Sequence, residues 1–150
     1  MENQKQPPPK FILIGLGLLG LVLVYLFQRM DYLNFIWVWL GGNAVTNSNA
    51  IFIFNKSFRL VVNDLLCFVI IYSLFHEKKY LRIAFLVFCL EFFFILPVYL
   101  IVKLRVEGDS EISSPLLSQI HRLIVNPMLM LLLMVAFYYQ RFWGEEKRRG

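Results

Sequence analysis

Only two histidines and two cysteines occur among 150 residues. His76 and His121 are isolated from each other and from ligand-type neighbours, so neither a metal nor any other cofactor is expected. Cys67 and Cys89 both fall inside long apolar runs, at depths differing by about 10 Å, which argues against a disulfide. Charge is scarce as well: Phe11 to Phe27 carries none. That run lacks a small-residue cleavage site and ends in "YLFQRM", so it reads as a retained anchor rather than a signal peptide. No phosphate-binding loop is present either. The stretch "GLGLLG", Gly15 to Gly20, copies the dinucleotide fingerprint but has no preceding strand, no exposed helix start and no acidic residue about 20 positions on. Glycines in an apolar helix instead let a neighbouring helix approach closely.

Apolar residues are abundant. They make up 59% of the chain, outside the range of soluble folds, and this implies a membrane protein. Crossing the hydrocarbon takes about 17 to 25 mostly apolar residues. Four runs qualify: 11–27, 60–75, 83–102 and 127–143. The fold class expected is therefore all-α, with four transmembrane helices forming one domain over 11–143. A proline-rich tail (1–10) with nothing to bury precedes it and a basic tail (144–150) follows. Tyr138, Tyr139 and Trp143 suit the headgroup level.

The net charge of +5 is scattered in short clusters beside the spans rather than in a stripe, so it reads as orientation and not as nucleic-acid binding. With the N-terminus inside, nine basic residues (Lys5, Lys10, Lys78, Lys79, Arg82, Arg141, Lys147, Arg148, Arg149) face the cytoplasm. Six (Arg29, Lys56, Arg59, Lys103, Arg105, Arg122) face outward. Both termini are then cytoplasmic, and the acidic group Glu107, Asp109 and Glu111 lies outside.

Residues 30–58 read as two apolar arms around the polar turn "GGNAVTNSN", lying on the outer leaflet or over the bundle; a fifth span would strand that polar centre in lipid. Trp37 and Trp39 fit interfacial anchoring. "NKS" at Asn55 matches a glycosylation sequon, which matters only in a eukaryotic secretory compartment. Ser114 is a plausible cap for a helix beginning at Pro115. Leu116, Leu117, Ile120, Leu123 and Ile124 recur at helical spacing, which predicts an in-plane helix leading into the fourth span. Asn126 and Pro127 predict a kink where the chain turns to descend.

On this topology Arg59, Asn63 and Asp64 share an outer depth with His121, Arg122 and Asn126. Asp64 is placed about 6 Å into the core, where a buried carboxyl needs a partner, and Arg122 is the candidate. The pair serves either as a clamp between helices or as a recognition or catalytic site opening to the outer face. Glu91 is placed deeper, roughly 12 Å from the inner surface, bonded to Ser73 or to a carbonyl freed by Pro97, or else on a proton path. Cys67, three residues after Asp64, is a nucleophile candidate if His121 can serve as its base.

Three segments, "NKSFRLVVNDLLCFVIIYSLF", "YLRIAFLVF" and above all "HRLIVNPMLMLLLMVAFYYQ", resemble the small exosortase F-associated membrane proteins of Bacteroidetes over residues 54–140. The residues matching that pattern are Asn55, Arg59, Asn63, Asp64, His121, Arg122, Asn126 and Pro127. The resemblance implies a multi-pass accessory in the cell inner membrane, with membrane lipid around it and an exosortase, a membrane-embedded cysteine transpeptidase, as partner. It carries over no catalytic residue. Exosortases themselves are longer, with arginines on successive outer segments around a catalytic cysteine, and Cys67 has no such setting. A non-catalytic accessory is the leading expectation, with an intramembrane cysteine enzyme and a small proton- or ion-coupled transporter using Asp64 and Glu91 as alternatives.

Overall fold

The computed structural model describes residues 10–106 and 115–149, and these are helical apart from short connecting turns, with no strand among them. Most of the N-terminal tail, the acidic group Glu107, Asp109 and Glu111, and the cap expected at Ser114 lie outside the described residues. The chain runs α1 (Lys10–Leu26), α2 (Tyr32–Trp39), α3 (Ser48–Phe75), α4 (Lys78–Leu90), a π-helical turn (Glu91–Ile95), α5 (Leu96–Val106), α6 (Pro115–Val125) and α7 (Met128–Arg149). Two continuous helices, Ser48–Phe75 and Lys78–Arg105, are long and apolar enough to cross a membrane; Lys10–Leu26 and Met128–Arg141 are apolar but shorter.

The main departure from the sequence reading is the start of α3. The second apolar arm is not a surface loop: "AIFIF" forms the first turns of a 28-residue helix. Asn47 caps it, its side chain accepting from the backbone N–H groups of Asn49 (3.1 Å) and Ala50 (3.3 Å). No glycine or proline interrupts the helix from there to Phe75, so nothing ends it at the polar residues 55–59. The first arm is α2, capped by Asp31. The Asn34 side chain accepts from Val45 N–H (2.7 Å) and donates to Val45 C=O (3.2 Å), which fastens the 40–47 turn back on α2.

α3 is the axis of the molecule, in contact with α1, α2, α4, α5, α6 and α7. Gly17 and Gly20 bring α1 against Ile70 and Leu66, the close approach expected of these glycines, whereas Gly15 faces open space. α3 turns into α4 at His76, which adopts a left-handed conformation (φ 55°) and donates its N–H to Tyr72 C=O. One apolar cluster (Cys67, Ile70, Ile71, Phe75, Tyr80, Ala84, Met130, Met134, Phe137) joins α3, α4 and α7 near this turn. Its aromatic centre is Phe75, Tyr80 and Phe137, with ring centroids 4.7–5.7 Å apart. A second cluster of Leu60, Leu96 and Tyr99 lies toward the other end, with Ile120 of α6 packed on it.

Pro97 shapes the third long segment without ending it. It has no N–H to donate, and its ring would press on the carbonyl of Phe93. The backbone widens to a π turn over Glu91–Ile95, in which Leu96 N–H bonds to Glu91 C=O. The break expected at Asn126 and Pro127 is present between α6 and α7, with Asn126 N–H closing α6 on Arg122 C=O at 3.0 Å. α6 begins at Pro115 as anticipated. Of its anticipated apolar face only Ile120 has a described side chain. α7 continues as helix to Arg149, so the segment read as a separate basic tail extends the last helix.

Candidate functional site

The end of the bundle where α1 stops and α3 starts collects one group of basic side chains. On α3, Asn55, Lys56 and Arg59 recur at spacings of three and four and so share a helix face. Asn55 is committed to α2: its Oδ1 accepts from Leu33 N–H (3.0 Å) and its Nδ2 donates to Asp31 Oδ1 (3.2 Å). A half-buried side chain held this way is unsuited to carrying a glycan. Asp31 is fully engaged, because Asn34 donates its backbone N–H to Oδ1 (3.2 Å) and its Nδ2 to Oδ2 (2.7 Å). Burial works against the charged form of Asp31, but these donors outweigh it and hold its pKa below the usual carboxylate value.

Arg59 is only 4% exposed. Its Nη1 donates to Gln28 C=O at a long 3.4 Å, and its Nε finds no acceptor among the described residues. Lys56 lies with its Nζ 5.5 Å from the centre of the Phe52 ring. A cavity of about 310 Å³ opens beside these two, walled also by Gln28, Arg29, Met30 and Asn55.

From the opposite side α5 and α6 contribute Tyr99, Lys103 and His121. Tyr99 is fully buried and its hydroxyl is 2.5 Å from His121 Nδ1. Burial, together with the charges of Lys56, Arg59 and Lys103, pushes the His121 pKa down to about 4. The imidazole is therefore neutral at physiological pH, sharing one proton with the tyrosine hydroxyl across this contact. Nitrogen NMR of the labelled protein is expected to show a neutral imidazole that does not titrate as pH falls through the ordinary histidine range near 6.5. A midpoint near that value would contradict this geometry.

Asp64 does not belong to this end. At the helical rise it lies about 24 Å from the start of α3 and about 17 Å from its finish, hence mid-bundle. Its partner is Glu91, not Arg122: the two carboxyl groups are hydrogen-bonded to one another, while Arg122 is exposed on α6. Such a bond requires a proton on one of the carboxyls. Both are nearly sealed, at 1% and 4% exposure, and Asp64 Oδ2 and Glu91 Oε1 have no hydrogen-bond partner among the described residues. The Glu91–Ser73 bond is not formed either, since Ser73 Oγ donates to Val69 C=O within its own helix (2.8 Å).

Cys67 has no exposed surface, and the ionisable groups that act on it are Asp64 and Glu91. His121, the base it would need, is occupied by Tyr99. A buried thiol beside acids is the reverse of an activated nucleophile.

Of the eight residues anticipated as one outer cluster, the structure gathers Arg59 and His121, ties Asn55 to α2, buries Asn63 beside Asp64 on α3, and moves Asp64 to mid-bundle. Asn126 and Pro127 form the α6–α7 hinge. Lys56, Tyr99 and Lys103 complete the cluster and were missed. Their signal was positional: Lys56 is one turn before Arg59, and Tyr99 and Lys103 are one turn apart near the end of an antiparallel helix. Comparison with family models, with curated proteins and with solved structures finds no match to this chain.

Proposed function

We propose that this chain is a non-catalytic, multi-pass accessory of an exosortase-type protein-sorting system, anchored in the inner membrane by four helices with both termini cytoplasmic. It meets the exosortase or its substrate at the basic outer end of the bundle. The observation that carries this reading is the gathering of Lys56, Arg59 and Lys103 from α3 and α5 around the neutral His121 of α6 at a single end. Such a cationic end suits recognition of an acidic or carboxylate-bearing partner. The sealed, base-free setting of Cys67 favours a binding role over a transpeptidase role. The sides of the helices present large apolar groups such as Leu19, Leu86, Phe94 and Val135 outward, as a lipid-facing surface requires. One other reading, a small proton-coupled carrier, draws on the Asp64–Glu91 pair. It is separated by deleting the exosortase, after which transport would persist.

The test is crosslinking of tagged protein in its native membrane, capture in mild detergent and mass spectrometry, alongside a sorting assay. The exosortase is expected to dominate the capture, and Cys67→Ser is expected to leave sorting intact. Absence of the exosortase, or loss of sorting in a folded Cys67→Ser protein, would overturn the proposal.

A further inference from the structure

The cavity beside Arg59 poses a separate problem. Its described walls carry three cations, Arg29, Lys56 and Arg59, and no carboxylate. The nearest acid, Asp31, has both oxygens occupied by Asn34 and Asn55. Lys56 and Arg59 act on one another as like charges, and neither forms an ion pair among the described residues. A guanidinium buried to 96% normally has its fork satisfied, because burying a charge is costly unless it is paired and hydrogen-bonded. Here one of its donors reaches a distant carbonyl, and Nε, itself sealed from solvent, finds no acceptor among the described residues. Arg59 and Lys56 both line the cavity, and a guanidinium beside an ammonium is the donor set that takes an oxyanion.

A second feature names the rest of the ligand. On the far side of Met30 lies an apolar groove of about 400 Å³ between α1, α2 and α3, lined by Leu23, Val24, Phe27, Phe35, Phe58 and Val62. Met30 walls both spaces. A cationic chamber next to an apolar groove matches an amphiphile that has a phosphate at one end and hydrocarbon at the other.

We propose that this end of the protein is a specific site for an anionic phospholipid. The phosphate group is bound by the Arg59 guanidinium and by Lys56, and an acyl chain lies along the groove beyond Met30. The same phosphate chemistry could be met by a soluble phosphate, which would leave the groove empty. The site stands independently of the sorting role, since it requires only that the chain meet lipid.

The experiment is native mass spectrometry of the delipidated full chain in detergent, titrated separately with phosphatidylglycerol, phosphatidylcholine, inorganic phosphate and glycerol phosphate. One phosphatidylglycerol is expected to bind in preference to phosphatidylcholine, whose choline cation opposes the lysine. Lys56→Gln, a half-exposed position that threatens the fold least, is expected to weaken that binding roughly 10-fold or more, the loss that follows from removing one charge-assisted hydrogen bond. Arg59→Lys keeps the charge but loses the fork, and is expected to weaken it similarly. Equal retention of the two lipids, or unchanged binding in a folded Lys56→Gln protein, would overturn the proposal. Saturation by inorganic or glycerol phosphate that excludes the lipid would overturn its lipid part and leave a soluble phosphate as the ligand.

Discussion

Asp64→Leu alone is expected to destabilise the protein by about 1–3 kcal/mol, and adding Glu91→Leu is expected to recover most of that loss. The single change leaves Glu91 buried at 4% exposure with its only side-chain partner among the described residues removed, and a buried polar group without a partner bears its full desolvation cost. The double change removes both polar groups and leaves apolar contacts between α3 and the segment after α4, a swap that is often neutral or stabilising. Equilibrium unfolding in mixed micelles, completed as a double-mutant cycle, measures the coupling. Losses that simply add would mean that the two carboxyls do not act as a unit. The same double variant separates two roles for the pair. If it is folded and sorts normally, Asp64 and Glu91 are a clamp between helices; if it is folded and fails, the shared proton has a function and the carrier reading gains.

The partnership of Asp64 and Glu91 was legible in principle. α3 and α4 are antiparallel and joined by a two-residue turn, so residues equally far from the turn meet. Asp64 lies about 17 Å before it and Glu91 about 20 Å after it. The sequence reading paired Asp64 with Arg122 because it began the span at residue 60. Hydropathy falls at Asn55, Lys56, Ser57 and Arg59, but backbone hydrogen bonding does not, and a helix that lacks glycine and proline continues through a polar stretch. Three added turns moved Asp64 from the mouth of the bundle to its middle. By contrast, the break at Asn126 and Pro127 and the start at Pro115 were readable, because proline chemistry acts locally and needs no partner. The cluster of Lys56, Tyr99, Lys103 and His121 depends on three helices meeting, and only the register of the hairpin could have placed it.

The glycines of α1 give the other large effect, and they are expected to differ sharply although all three lie in one helix. A Cβ on Gly17 would stand 2.6 Å from Cγ1 of Ile70, the inner part of a side chain that is 97% buried and has little room to yield. Gly17→Ala should therefore push α1 away from α3 and cost about 1–3 kcal/mol, as overpacking does. At Gly20 the Cβ would meet Cδ2 of Leu66 at 2.7 Å, the end of a half-buried and flexible side chain that can rotate aside, so a smaller loss is expected. Gly15 has nothing within 4 Å, and Gly15→Ala should be neutral or stabilise by up to about 1 kcal/mol through helix propensity. Unfolding of the three variants in one detergent ranks them; a Gly15 loss as large as that at Gly17 would show that backbone flexibility, not contact with α3, is what the glycines supply. The consequence extends beyond stability. α1 leads directly to Gln28, whose carbonyl is the acceptor for Arg59, and to Met30, which walls both the basic cavity and the apolar groove. Displacing α1 at Gly17 should thus loosen the basic end at a distance of about 16 Å along the helix, so a folded Gly17→Ala protein should also bind phosphatidylglycerol more weakly while Gly15→Ala binds it normally.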